Sequence, residues 1–243
     1  SLPPRWSTRD VLATGRACMR GACLAKASSS RPVDSQPARG RRTRVSRDTF
    51  KLILALAAIV IGVGSMLSNR PVEHAAGVLA PDDPVQQELA GAAPLRHQEY
   101  ELTPRAAFSI DARVLSAERY RWDGGADLAP VDLALGWGPM SDSAMLEQFK
   151  VTQGARFYTL YPQHEAVDLG LALRHSANMH LIPASEAVRR TLESAREGQV
   201  VSLRGQLVDA ARPDGFTWRT SLTREDTGAG ACELFYVESA ALR

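Results

Sequence analysis

From Leu52 to Leu67 the chain runs through sixteen consecutive residues, LILALAAIVIGVGSML, with no charged side chain. At 1.5 Å per residue this makes a helix of about 24 Å, or about 27 Å with Phe50 and Lys51, against a hydrocarbon core of ~30 Å. Lys51 lengthens the usable span by laying its stem along lipid with its ammonium among the headgroups. The run slightly exceeds the ~7–15 residues of a cleavable export signal. Neither Val78-Leu79-Ala80, followed by Pro81, nor Ser68-Asn69-Arg70-Pro71 makes a persuasive cleavage site. An uncleaved transmembrane helix over residues 50–68 is therefore expected.

The pattern then changes twice. Residues 69–97 are rich in Pro, Ala, Gly and Asp, as in Ala80-Pro81-Asp82-Asp83-Pro84, and read as a semi-extended linker. A globular domain is expected over 98–243. Phe108 to Val114 alternates apolar and polar with period two, which predicts a half-buried strand. Leu128 to Leu135 reads as a short helix or an ordered loop, ended by Gly136-Trp137-Gly138-Pro139. Ser141 is placed to cap a short helix with Met145, Leu146 and Phe149 on one face. Residues 155–161, 167–173 and 179–182 read as extended, the last closed by Pro183.

The clearest helix has Ser185 as its cap, Glu186 at its positive end, Val188, Thr191, Leu192 and Ala195 at helical spacing, and Gly198 as its stop. Strands are expected over 200–209, 216–222 and 232–238, the first two joined as a hairpin through Pro213-Asp214-Gly215. This order predicts an α+β fold: after the transmembrane helix, one extracytoplasmic domain with a small Greek-key, OB-like β-barrel and two or three short helices.

Charge sets the expected orientation. Residues 1–51 hold twelve Lys and Arg against Asp10, Asp34 and Asp48, a net +9, so a whole chain of +2 leaves −7 for the remainder. By the positive-inside rule the N-terminus is cytoplasmic, the acidic domain lies outside the inner membrane, and nucleic acid is not a partner. Residues 1–49, rich in Arg, Ser, Pro, Gly and Ala without apolar period, are expected to be disordered. The natural start is expected at Val45, with 1–44 as translated upstream sequence. The alternative is a genuine basic tail touching anionic lipid. Cys18 and Cys23 fall in that tail, which leaves Cys232 alone in the folded part as a packing group.

Candidate chemistry is concentrated in Arg174-His175-Ser176-Ala177-Asn178-Met179-His180. On a strand Ser176, Asn178 and His180 share one face and His175 points the other way, and a helix also separates the histidines, so no zinc pair is expected. His180 with Asn178 and Ser176 could line a polar site, although backbone hydrogen bonding at a strand end carries more weight. Asp226-Thr227-Gly228-Ala229 spells the aspartic-protease signature, yet Thr223-Arg224-Glu225 precedes it and a dimer would have to supply the second carboxylate, so a turn is expected. Trp137, between two glycines, reads as core before stacking platform. Glu233 sits beside Cys232 but faces the opposite way, and could meet Arg224 or His180.

Three blocks, Leu133 to Asp142, His175 to Pro183, and Ser221 to Gly228 continuing through Cys232-Glu233, together resemble an uncharacterised bacterial family of small membrane-anchored or exported proteins. The resemblance covers about Phe108 to Val237. It implies that the blocks meet in space, and it brings neither an activity nor a cofactor. The expected function is a binding or envelope-associated module of unknown ligand, with the lipid bilayer as its partner through Leu52–Leu67. The alternative is a hydrolase, metal-dependent or not, using His175 or His180 with Asp226 or Glu233.

Overall fold

The computed structural model describes residues 46–68, 70–223 and 231–243. The chain divides into two compact units, Ser1–Phe50 and Lys51–Arg243. In the first, Ser46 caps the start of helix α1 (Arg47–Ser68), its Oγ accepting from Thr49 N at 3.1 Å. The tail expected to be disordered lies outside the described residues up to residue 45. Within the second unit the described side chains of α1 are exposed, Leu52 at 60% and Val60 at 70%.

The remainder is built from strands. They are β1 (Val85–Glu88), β2 (Leu95–His97), β3 (Tyr100–Arg119), β4 (Val131–Gly136), β5 (Phe149–Gly154), β6 (Phe157–Pro162), β7 (Ser176–Pro183), β8 (Val200–Ala211), β9 (Thr217–Trp218) and β10 (Glu233–Leu242). Between them lie a 3-10 turn (Gly138–Ser141) and helices α2 (Ser143–Leu146), α3 (Leu169–Arg174) and α4 (Glu186–Glu193). Eight strands form one sheet in the order β1-β3-β4-β7-β10-β8-β9, with β2 on β3. A further β3–β8 pairing joins β3, β4, β7, β10 and β8 in a ring. Among the described residues only β7 and β10 pair in parallel; β5 and β6 make a separate hairpin.

These observations correct the expected fold class. The protein is mostly β rather than α+β, and the helices after residue 70 have four, six and eight residues. The Greek-key, OB-like barrel is replaced by the eight-stranded sheet just described. β3 runs for twenty residues, with period-two burial from Tyr100 to Ala112, and β4 occupies part of the stretch read as helix or loop. The transmembrane helix is corrected too: among the described residues no helix is long and apolar enough to cross a membrane. A run of sixteen apolar residues, about 24 Å of helix, falls short of the ~30 Å hydrocarbon core.

Alternate residues of the ring strands, among them Phe108, Ile110, Leu133, Met179, Leu203 and Phe235, meet in the main core. The helix signals held locally, with changes at the ends. Ser185 caps α4 by accepting from Val188 N, and Val188 and Leu192 reach the core, but α4 stops at Glu193 and Gly198 lies in the turn before β8. Asp142, not Ser141, caps α2 through Ala144 N at 2.9 Å. The 167–173 stretch, expected extended, contains α3, capped by Asp168.

The segment read as a linker is docked on the domain. Val72 N donates to Glu197 O at 2.8 Å, and His74 Nε2 lies 2.9 Å from Gly198 O. Ser141 Oγ accepts from Leu79 N and Ala80 N, and residues 85–88 then join β3 as β1. Gly198, at φ +88°, permits this approach: a Cβ there would sit 1.9 Å from Val72 O. Its backbone conformation and the contact both demand glycine.

Candidate functional site

Strands β4 and β7 are buried along their whole length, so the polar face of β7 is covered. Ser176, Asn178 and His180 lie on it as their spacing required. Directly opposite His180 in the register is Asp132, a charge inside the apolar sequence of β4. His180 Nδ1 and Asp132 Oδ2 are 2.9 Å apart but outside hydrogen-bond geometry.

Arg156 supplies the second partner. It occupies the two-residue turn between β5 and β6, where Ala155 and Arg156 both take positive φ, 50° and 70°. Hairpin twist favours this turn, yet residues bearing a Cβ pay for it in strain. The turn aims the guanidinium inward: Nη1 donates to Asp132 Oδ1 and Ala129 O at 2.8 Å, while Nε and Nη2 grip both oxygens of Asp123 at 2.8 and 2.7 Å. The group also stacks 3.8 Å from the Tyr120 ring centroid. Burial opposes the charge of Arg156, but Asp123 and Asp132 outweigh it and hold its pKa above the ordinary value. The same hydrogen bonds from Arg156 hold Asp123 below the usual carboxylate range.

Trp218 closes the network, its ring 4.6 Å from that of His180 and tilted by 51°. Asp132 is fully buried and His180 is only 3% exposed. Asn178 is spent on its neighbours, with Nδ2 donating to Arg156 O and Oδ1 accepting from Gln153. Ser176 donates to Ala172 O at 2.7 Å and lies 3.0 Å from the Tyr158 hydroxyl. These arrangements fasten the β5–β6 hairpin and α3 over the sheet.

The other expected site residues are dispersed. His175 ends α3 with Nδ1 2.9 Å from Leu171 O, away from His180, and its ring packs on Gly138. Trp137 is fully buried in the core and donates from Nε1 to Asp83 at 3.0 Å. Glu233 is buried at the start of β10, beside Met179 in the register. Asp226 lies outside the described residues. β4 and β7 carry parts of the first two sequence blocks, and Glu233 of the third opens β10, the neighbour of β7. Among the described residues no group of three or more His, Cys, Asp or Glu is placed to hold a metal ion.

A cavity of 420 Å³ lies elsewhere, between the docked segment 71–74, α2, β5 and the turn before β8. At its floor is Arg113, 8% exposed. Nη1 donates to Ser141 O and Ser143 Oγ, while Nε is buried without a hydrogen-bond partner. Burial lowers the pKa of Arg113, offset in part by Glu197 and Asp142 acting through space. Sequence reasoning missed both arginines. Asp132 within an apolar strand was a readable signal for a buried cation; nothing in the pattern singled out Arg113, which alternates like a surface residue of β3. Comparison of the chain with family models, curated proteins and solved structures found no match.

Proposed function

We propose that this chain is an envelope-associated binding module held at a membrane surface by the apolar stretch Leu52–Leu67, and that it takes a ligand in the cavity floored by Arg113. The unequal fate of its polar groups supports binding over hydrolysis. His180 packs against Trp218 and Asp132 is held by Arg156, whereas the guanidinium of Arg113 lines an open cavity with its Nη2 uncommitted. General acid–base work needs an imidazole that a substrate can reach.

Lipid attachment is supported by the exposed apolar side chains of α1, which water solvates poorly. The net +9 of residues 1–51 favours contact of that end with anionic lipid headgroups. The acidity of the remainder disfavours nucleic acid.

A thermal-shift survey of the full chain in mild detergent against small metabolites tests the binding reading. Stabilising compounds whose effect disappears in Arg113→Gln support it. A survey without shifts, or a hydrolytic turnover abolished by His180→Ala, refutes it. Flotation of the full chain with anionic lipid vesicles tests the attachment: co-flotation is expected, and a chain that stays in the aqueous phase refutes it.

A further inference from the structure

The cavity is organised by charge as well as shape. Its floor carries the buried Arg113 guanidinium, whereas Glu73, Glu147 and Glu197 stand exposed at its edge. Leu115, Leu146 and Phe149 add apolar wall. A simple anion entering this space would have to pass three carboxylates, and a simple cation would end against a guanidinium. A molecule that carries its negative group inward and its positive group outward satisfies both layers.

We infer that this cavity binds a small zwitterion of the amino-acid or dipeptide class with an aliphatic side chain, its carboxylate on Arg113 and its ammonium among the rim glutamates. The carboxylate is taken by Nη2 of that guanidinium, since Nη1 is spent on Ser141 and Ser143 and Nε is shut off by burial. The ammonium is held by charges that remain in water, so it contributes selectivity more than affinity. The aliphatic side chain lies along Leu115, Leu146 and Phe149. A volume of 420 Å³ is in the lower part of the ~300–1,000 Å³ range of small-ligand pockets, which suits a ligand of this size. The inference rests on the binding-module reading and gives it a ligand class.

The test is calorimetric titration of the full chain in mild detergent with L-leucine and L-leucyl-L-leucine, beside 4-methylpentanoate, which lacks the ammonium, and 3-methylbutylamine, which lacks the carboxylate. At least one zwitterion should bind, and both single-charge analogues should bind about tenfold more weakly or worse. Arg113→Gln should abolish binding. Because that variant also loses the bonds to Ser141 and Ser143, Glu147→Gln at the exposed rim is the second probe, expected to weaken the zwitterion but not 4-methylpentanoate. Lys150→Gln, exposed and outside the cavity, should change nothing. Equal affinity for 4-methylpentanoate, abolished by Arg113→Gln, would overturn the zwitterion and leave the binding module standing. Silence from all four compounds up to about 10 mM would overturn the ligand class, and the metabolite survey then decides the module separately.

Discussion

Replacing Gly198 by Ala separates a docked segment from a free linker. The new Cβ would lie 1.9 Å from Val72 O and 2.8 Å from its carbonyl carbon, both backbone atoms that cannot swing aside. A residue with a Cβ at φ +88° costs about 1–2 kcal/mol in backbone strain. Relief of the clash requires the segment to lift, which forfeits the Val72–Glu197 and His74–Gly198 hydrogen bonds at about 1 kcal/mol each. The total is about 3–4 kcal/mol, and local detachment caps it there. For a domain of this size the melting temperature should fall by roughly 6–15 °C. Hydrogen exchange at the Val72 amide should accelerate in parallel, while the core strands keep their protection. Gly124→Ala is the control, since a Cβ there meets nothing within 4 Å. A Gly198→Ala protein that melts within a degree of the parent, with Val72 still protected, would refute the docked geometry.

Three further outcomes follow from the covered polar face. His180→Ala should destabilise the domain by about 2–4 kcal/mol in chemical unfolding, because it leaves a void under Trp218 and removes a contact of the buried Asp132, yet it should leave affinity for any cavity ligand unchanged. Ala155→Gly should raise stability by up to about 1 kcal/mol in the same assay, because glycine takes φ +50° without strain; a loss would show that the turn is not under tension. Asp123 has its pKa lowered by Arg156, so its contribution is present above 3.8 and is lost as pH falls through the lower folded-state value. Asp123→Asn should therefore cost stability at neutral pH, by under about 1 kcal/mol because the carboxylate is partly exposed, and the gap to the parent should close on acidification. A gap that persists unchanged to the most acidic point before unfolding would contradict that account.

Local spacing carried a good part of the structure. Alternation marked the Phe108–Val114 stretch of β3, the caps and apolar period marked α4, and the offset of five residues separated His175 from His180, because these depend on backbone geometry within a few residues. The period-two reading of β7 was also correct in placing Ser176, Asn178 and His180 on one face. Periodicity names a face, however, and is silent about what covers it. The β5–β6 hairpin and Trp218 bury that face, and this turns an apparent polar site into an internal fastening. Likewise the Pro- and Asp-rich composition of residues 69–97 resembled a linker because its polar character suits solvent, whereas the hydrogen bonds that dock it come from Ser141, Glu197 and Gly198, more than sixty residues away in sequence. The parallel β7–β10 pairing, the ring closed by β3 and β8, and the meeting of Arg156 with Asp132 belong to the tertiary structure alone, since each joins residues whose separation along the chain leaves no periodic trace.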